Sequence, residues 1–199
     1  MSSFEVPVVY HQKGILVVHK PSGLASQPTV DDSPNLFSIL QKKYSYVALH
    51  HRLDTPASGL LLLCTDKRWN KTIAKAFQQR TIKREYWVAC LGEPPQEGVW
   101  EDKVDGKYAK TVFQTIHRSF GYSCLQVQLK TGRKHQIRVH AQRQGFPVLG
   151  DRRYGGAAGR LCSRLALHAQ RLSFIHPATS ERVEVEAPLP EELYSLLSR

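Results

Sequence analysis

A single carboxylate, Asp54, stands between an arginine and a small-residue turn at the start of a long apolar run. The local sequence is His51-Arg52-Leu53-Asp54-Thr55-Pro56-Ala57-Ser58-Gly59, followed by four leucines. This run predicts a buried strand, so Asp54 lies in the loop that leads the chain into the core. A carboxylate there is costly unless it is paired or used in chemistry. Taken alone, such an aspartate more often holds a turn, with Arg52 as its surface partner.

Two further segments carry residue types suited to a reaction site. Tyr86 alternates with Val88 and Cys90, which predicts one face of a strand. The segment Thr131–His140 places a glycine turn after a strand and brings two arginines to the start of a predicted helix. Each segment alone is a weak signal, because a tyrosine on a strand usually packs in the core and a Gly-Arg turn is common.

The positive charge of the chain is concentrated in one stretch. The formal net charge is +11, and residues 106–180 contain 13 Lys and Arg but one acid, Asp151. After Lys134 every cation is an arginine. A guanidinium binds phosphate through two hydrogen bonds and stacks on bases, which favours a polyanionic partner held in a defined pose. A solvated basic face fits so long a block less well, and no basic amphipathic helix indicates a membrane surface.

The elements that must position these residues mix strands and helices without regular alternation, which predicts the α+β class. The predicted strands are 15–18, 60–64, 85–91, 112–116, 125–129, 165–169, 172–175 and 182–186. The predicted helices run from Ser33-Pro34 to about Lys43, from Lys67 to about Gln79, and over 135–144 and 190–197.

Length and composition exclude several classes of protein. At 199 residues the chain is long enough for one large domain or two small ones. The start of the sequence has no signal-peptide pattern, and no apolar run approaches the ~20 residues that span a bilayer. The four cysteines are scattered singly, which predicts buried thiols in a reducing cytoplasm and neither a disulfide framework nor a metal site.

Taken in order, these segments resemble the RluA-type (RluA/TruC-like) pseudouridine synthases. The shared pattern is HRLDxxxSG, then YxA, then TGRxHQIRVH. It is preceded by KPxGL at Lys20–Leu24 and followed by GDxxYG at Gly150–Gly155 and by LxLHA…HP from Leu165 to Pro177. The chain departs from the family at His19, where asparagine is usual, and at Pro56-Ala57. Neither departure touches a residue expected to be catalytic.

The resemblance implies the pseudouridine synthase catalytic fold: a mixed, mostly antiparallel sheet with flanking helices and a central RNA-binding cleft. It implies one catalytic domain over residues 1–199, without an N-terminal S4 domain. The reaction implied is isomerisation of uridine to its C-glycoside within RNA, with no cofactor and no metal. We further expect a monomeric, cytoplasmic enzyme that acts on a tRNA or rRNA stem-loop.

The same resemblance assigns roles to individual residues. Asp54 is the catalytic carboxylate, either as a nucleophile at C1′ or as a base at the ribose, and the sequence does not decide between these. Tyr86 stacks on the uracil near C5, and Arg133 pairs with Asp54 and keeps it ionised. Because the target base must leave the stack, Arg52 is expected to fill the space it vacates.

Further residues are expected to contact the substrate. Leu165 and Leu167 are candidates for the apolar floor of the pocket, with plain core packing as the alternative. Three arginines are assigned to RNA phosphates: Arg152, Arg153 and Arg160. The segment that carries them is rich in glycine, which predicts a chain too flexible for a core element. The other predicted RNA-contacting residues are His51, Lys134, Gln136 and Arg138. The histidines His51, His135 and His140 are expected mainly to orient loops, and Asp151 to anchor a turn.

Two other functions compete with this interpretation. A glycoside hydrolase also breaks a bond to C1′, but it normally needs two facing carboxylates, and few acids lie near these motifs. A non-catalytic RNA-binding or RNA-chaperone module explains the arginine-rich stretch, but not the positions of Asp54 and Tyr86.

Overall fold

The computed structural model describes residues 5–30 and 33–197, and the chain divides into two compact units. Unit 1 takes the residues up to Lys83 together with Ala169–Ala187. Unit 2 takes Arg84–His168 and the residues from Pro188 onward. Unit 1 is therefore assembled from two stretches of chain that are separated in sequence by most of unit 2.

Strands are the main elements of the described residues, and the α-helices are few and short. The strands are β1 (Val8–Gln12), β2 (Ile15–Lys20), β3 (Ala48–Leu49), β4 (Ser58–Cys64), β5 (Lys83–Leu91), β6 (Glu97–Val104), β7 (Lys107–Ser119), β8 (Tyr122–Leu129), β9 (Leu167–Ile175) and β10 (Arg182–Glu186). The helices are α1 (Leu36–Gln41), α2 (Lys67–Gln78), α3 (Gln136–Arg143) and α4 (Glu191–Tyr194), with 3₁₀ turns at Gly156–Arg160 and Ser195–Leu197.

In unit 1 the strand order is β1, β2, β4 and β9, with β10 paired to β9 and β3 to the end of β4. The pairs β1–β2, β2–β4 and β9–β10 are antiparallel. All seven residues of β4 are buried, as its leucine run predicts for a strand covered on both faces. The buried strand therefore follows directly on the loop that carries Asp54.

Alternate residues of β2 and β4 form the core of unit 1. Ile15 and Val17 pack in one cluster with Leu60 and Leu62, and Ile73 of α2 joins it. The amphipathic spacing in α2 brings Ile73 inward. The side chain of Asp66 caps this helix by accepting a hydrogen bond from Arg68 N (2.9 Å).

In unit 2 the strand order is β5, β8, β7 and β6, and each neighbouring pair is antiparallel. Asp105 and Gly106 connect β6 to β7 with φ angles of 51° and 72°. Two residues with positive φ suit the right-handed twist of a tight hairpin. The helix α3 follows β8 after a short turn at Thr131–Gly132. The predicted α+β class with a mostly antiparallel sheet is confirmed.

Several boundaries differ from those predicted. The predicted cap Ser33 is not the N-cap of α1; Asn35 accepts from Ser38 N (2.9 Å) instead. Strand β6 was not predicted, and the two strands expected between Leu165 and Ile175 are the single strand β9. The closing helix is shorter than expected, because α4 ends at Tyr194 and passes into a 3₁₀ turn.

Candidate active site

Hydrogen bonds fix the backbone of the Asp54 loop on both sides of Asp54. Ser26 Oγ accepts a hydrogen bond from Leu53 N (3.1 Å) and donates one to Leu53 O (2.7 Å). Beyond Asp54, Gly23 N donates to Thr55 O (2.8 Å) and Ser22 Oγ donates to Pro56 O (2.7 Å). Asp54 itself is half-buried. Its backbone is thus held in place by the segment 22–26.

A fully buried lysine completes this arrangement. The ammonium of Lys20 donates to the carbonyls of Pro21 (2.9 Å), Leu24 (2.6 Å) and Thr55 (3.2 Å). Three donors directed at three carbonyl oxygens match the hydrogen-bonding capacity of an ammonium group. Sequence reasoning noted the KPxGL motif but missed this function of Lys20 and the function of Ser26. The motif itself was the available signal.

Gly59 explains the small residues that follow Asp54. Its φ is +115°, and a Cβ atom there would lie 2.3 Å from Ala169 O. A side chain would clash with the backbone of β9 and would also be strained at this φ. Only glycine fits where β4 leaves the Asp54 loop.

The two motif residues before Asp54 differ in their surroundings. His51 Nε2 accepts a hydrogen bond from Leu62 N (2.9 Å), and its ring packs against Phe77 at 4.7 Å. His51 therefore ties the loop to β4, as an orienting residue would, and its contact with RNA stays a prediction. Arg52 is exposed, as a residue that meets substrate must be.

The other two predicted catalytic residues belong to unit 2, whereas Asp54 belongs to unit 1. Tyr86 lies in β5 opposite Val127 of β8, and its side chain is 5% exposed. The neighbouring Glu85 accepts a hydrogen bond from Gln126 (3.0 Å) and is occupied by it. That Asp54, Tyr86 and Arg133 act on one uridine stays a prediction from the motif order.

Gln136 organises the turn that carries Arg133. Its Oε1 accepts from Thr131 Oγ1 (2.7 Å) and Arg133 N (3.0 Å), and its Nε2 donates to Lys110 O (3.0 Å) and Thr111 Oγ1 (2.9 Å). With 2% exposure and every amide position used, Gln136 holds the turn on β7. Its assignment to RNA contact is corrected accordingly.

The arginine and lysine of this turn remain accessible. Arg133 is half-buried, and its Nε donates to Tyr108 O of β7 (3.0 Å). Lys134 is exposed, as expected for a residue that contacts RNA. His135 follows in a left-handed conformation (φ 54°) as the N-cap of α3, and its Nδ1 lies 2.9 Å from the hydroxyl of Tyr154.

Arg138 is a structural residue. Its guanidinium donates to both carboxylate oxygens of Asp151 at 2.8 Å, and both side chains are buried. The prediction that Arg138 contacts RNA is corrected, because the guanidinium group already binds both oxygens of Asp151. Asp151 also accepts from Arg153 N and Tyr154 N (both 3.0 Å), so its expected role as a turn anchor is confirmed.

The pKa of Asp151 reflects these contacts. Burial alone would raise it, but the hydrogen bonds from Arg138 and from the Tyr154 and Arg153 amides, with the charge of Arg138, hold the pKa below its ordinary value. His140 has the opposite surroundings: its Nδ1 lies 2.9 Å from Thr111 Oγ1, and burial lowers its pKa. A neutral imidazole bound to β7 suits the expected orienting role.

The glycine-rich segment after Asp151 is compact. A Cβ at Gly150 would lie 1.8 Å from Arg164 O, and one at Gly155 would lie 2.3 Å from Asp151 O. The glycines therefore allow close backbone packing in a loop whose two ends meet. The side chains of Arg152, Arg153 and Arg160 are exposed on this loop, and the Arg153 guanidinium lies 5.4 Å from the Tyr154 ring.

Leu165 and Leu167 are buried at 1% and 5% exposure, so both belong to the packed interior of unit 2. Their role as a pocket floor stays a prediction. Among residues 5–30 and 33–197, no three His, Cys, Asp or Glu side chains form a group that could hold a metal ion. The same residues contain no helix long and apolar enough to cross a membrane.

Comparison with known proteins places this geometry in a family. Residues 14–143 match the family model described as RNA pseudouridylate synthase. The chain belongs to this family. The matched range contains the Asp54 loop, Tyr86 and the Arg133 turn, and the resemblance to the RluA type is confirmed by the relatives.

Two relatives illustrate the likeness. The dual-specificity RNA pseudouridine synthase RluA of Vibrio parahaemolyticus is 36% identical over 194 residues, covering 85% of this chain and 78% of the relative. The ribosomal large subunit pseudouridine synthase D of Neisseria meningitidis is 32% identical over 229 residues. That match covers 96% of this chain but 60% of the Neisseria protein.

Solved structures of family members share the fold. The human RNA pseudouridylate synthase domain containing 1 superposes with a TM-score of 0.77 at 25% identity, covering 94% of this chain and 84% of that one. The human RNA pseudouridylate synthase domain containing 4 gives a TM-score of 0.76 at 24% identity, with 96% and 91% covered. The predicted pseudouridine synthase fold is confirmed.

Proposed function

We propose that this chain isomerises uridine to pseudouridine within RNA and that units 1 and 2 act together as one catalytic domain. The observation that carries the proposal is the Asp54 loop: backbone groups on both sides of Asp54 are fixed by Lys20, Ser22, Gly23 and Ser26, while the carboxylate is only half-buried. Such preorganisation suits a reacting group. The motifs around this loop also occur in the order that is typical of a pseudouridine synthase.

The chemistry needs one carboxylate and a place to release a proton. The C1′–N1 bond breaks, the detached uracil turns, and C1′ joins C5; the proton on C5 leaves and N1 gains one. Atoms and electrons balance without an oxidant or reductant. Asp54 starts the reaction either by attacking C1′ or by removing a ribose proton, and Tyr86 stacks on the base near C5. Arg133 pairs with Asp54 and offsets its negative charge.

The substrate is a structured RNA. The target base leaves the helical stack, and the exposed Arg52 fills the space that it vacates. Leu165 and Leu167 form the apolar floor below the uracil, while Lys134, Arg152, Arg153 and Arg160 hold phosphates. We propose rRNA, tRNA or both as targets: the name of the Neisseria relative favours ribosomal RNA, and the term dual-specificity in the name of the Vibrio relative favours more than one target. We infer a monomeric cytoplasmic enzyme that requires no cofactor or metal.

The decisive experiment compares Asp54→Asn with wild type. Uridines modified in total RNA are first mapped in cells with and without the protein, and one target is then used in a single-turnover assay. Asp54→Asn should form no pseudouridine, while its RNA affinity changes by less than ~1 kcal/mol because phosphate contacts dominate binding.

Asp66→Asn is the matched control, because asparagine also caps a helix well. It should keep wild-type activity. Pseudouridine formation by Asp54→Asn would refute the catalytic assignment. A wild-type protein that binds RNA but forms no product would favour the RNA-binding alternative, and release of free uracil would indicate a hydrolase.

A further inference from the structure

The compact loop after Asp151 borders an open surface pocket of about 720 Å³ within unit 2, called the cavity below. Its lining residues are Arg152, Gly156, Gly159, Arg160, Cys162 and Ser163. No large apolar side chain contributes, so the cavity does not suit an apolar ligand. Its chemistry comes from two guanidinium groups, one hydroxyl and glycine backbone.

The wall of this cavity is held in shape before any ligand arrives. Gly150 N donates to Ala158 O (2.9 Å), and Gly155 N donates to Asp151 O (2.8 Å). Asp151 is in turn fixed by the buried pair with Arg138. A site held by its own packing loses little entropy on binding.

The charged side chains that line the cavity are two arginines. Arg152 and Arg160 are both exposed, and the acid nearest in sequence, Asp151, already has its charge matched by Arg138. A guanidinium fork matches phosphate oxygens, and a serine hydroxyl adds a donor. Arg153 is not part of the lining, and its guanidinium lies over the Tyr154 ring.

We propose that this cavity is a preformed site for one backbone phosphate of the RNA substrate, held between Arg152 and Arg160. The inference rests on the proposed function for the identity of the ligand, since a free phosphate offers the same chemistry. It separates the arginines of the loop into two that clamp one phosphate in the pocket and one, Arg153, that lies outside the pocket and meets a different phosphate.

The cavity carries its own chemical probe. Cys162 is half-buried in the lining, whereas Cys64, Cys90 and Cys124 are fully buried. Burial raises the pKa of Cys90 and Cys64, and it raises that of Cys124 to about 12. The three buried thiols should therefore react slowly, so alkylation of the folded protein reports on Cys162.

The first measurement needs no RNA. Alkylation of Cys162 by anionic iodoacetate and by neutral iodoacetamide is followed by peptide mass spectrometry, and the rate ratio is divided by that of free cysteine. A positive cavity should raise this normalised ratio by roughly threefold or more at low salt. The ratio should fall at least twofold in the double variant Arg152→Ala/Arg160→Ala, in which Arg164 still acts on Cys162. Arg182→Ala removes an equally exposed arginine from β10 and should leave it unchanged.

The second measurement identifies the ligand. A substrate stem-loop should slow alkylation of Cys162 by roughly tenfold at saturation, and the double variant should lose this protection. Inorganic phosphate at the same concentration should give none. Protection by phosphate equal to that by RNA would overturn the RNA assignment, and a normalised ratio of about one in wild type would overturn the site itself.

The outcomes for the cavity and for the proposed function are distinguishable. If wild type forms pseudouridine but RNA leaves the alkylation of Cys162 unchanged, the cavity is not a phosphate site and the proposed function stands. If RNA protects Cys162 but no pseudouridine forms, the phosphate site stands and the proposed function fails.

Discussion

Asp54 and Asp151 differ in burial, although each has an arginine within two residues in the sequence. Asp151 is buried and accepts hydrogen bonds from Arg138 and from two backbone amides. Asp54 is half-buried, and its neighbours in the loop carry the fixing contacts. The motif placed Asp54 correctly in a loop before a buried strand. The Arg138–Asp151 pair was not predictable, because no local spacing connects residues on a helix and in a later loop.

At Asp151, we expect Asp151→Asn to lower the free energy of unfolding by about 3–5 kcal/mol, because it leaves the Arg138 charge buried without its partner. The lowered pKa of Asp151 also sets a pH dependence. The stabilisation is complete above the pKa of an unfolded aspartate, about 3.9, and is lost as pH falls through the lower folded pKa.

Urea titrations between pH 3 and 7 check both statements. Wild type should lose stability toward the acid end of this range, and Asp151→Asn should lack that part of the decline. The same acid-side slope in both proteins would show that another group is responsible.

At Tyr86, we expect Tyr86→Phe to bind RNA like wild type and to form product at least ~100-fold more slowly. The ring would still stack on the uracil, but the hydroxyl that takes part in removing the C5 proton would be absent. Single-turnover pseudouridine yield and a filter-binding isotherm separate the two roles. Tyr194→Phe, at an exposed tyrosine, is the control. Wild-type turnover by Tyr86→Phe would show that the ring only stacks.

At the scale of elements, the sequence predicted those whose pattern is local. The leucine run of β4 and the spacing of Trp69, Ile73 and Phe77 in α2 correspond to observed elements. Strand β6 has an acidic sequence with little periodicity, and it forms because it pairs along its length with β7.

In strand β9 local sequence predicted a break that the structure does not have. Gln170 and Arg171 resemble a break between two short strands, but they lie within one strand. Arg171 forms an exposed ion pair with Glu186 of β10 (3.1 Å). Cross-strand partners of this kind decide strand continuity, and they come from distant sequence.

The loop–strand connection near Ser26 gives a prediction at this scale. Ser26→Ala leaves both the N–H and the C=O of Leu53 without their buried partner, so the free energy of unfolding should fall by about 2 kcal/mol. The rate of the bound complex should fall as well, because Asp54 is the next residue, while RNA affinity stays constant. Ser45→Ala, at an exposed serine, should change neither. An unaffected reaction rate in a destabilised Ser26→Ala would show that this contact only supports folding.

Over the whole molecule, the arginines of the positively charged stretch fall into two kinds, which differ in how exposed their side chains are. The net charge of +11 is carried by the stretch 106–180, which holds 13 basic residues and one acid. Within it, Arg133 is half-buried with its Nε held by the Tyr108 carbonyl, whereas Arg152 and Arg153 are exposed.

The salt dependence of RNA binding should distinguish these arginines. Arg152→Ala/Arg153→Ala should weaken binding to all RNA sequences and reduce the slope of log K against log salt by roughly one to two. The rate of the bound complex should hardly change. Arg133→Ala should lose rate with little change in slope, because its proposed partner is Asp54. The same salt signature in both variants would contradict this division.

Because unit 1 is built from two separate stretches of chain, it cannot be completed early during synthesis on the ribosome. Strand β4 is made early, but its neighbour β9 is completed only after most of unit 2 has been synthesised. At about 5–20 residues per second, the roughly 110 residues between the ends of these strands take on the order of 6–22 s. Throughout that interval β4, with its run of four leucines, lacks its β9 partner. Nascent chains that stop before Ala169 should therefore be clients of chaperones and easy targets for proteases, and the emergence of Ala169–Ala187 should end that vulnerability.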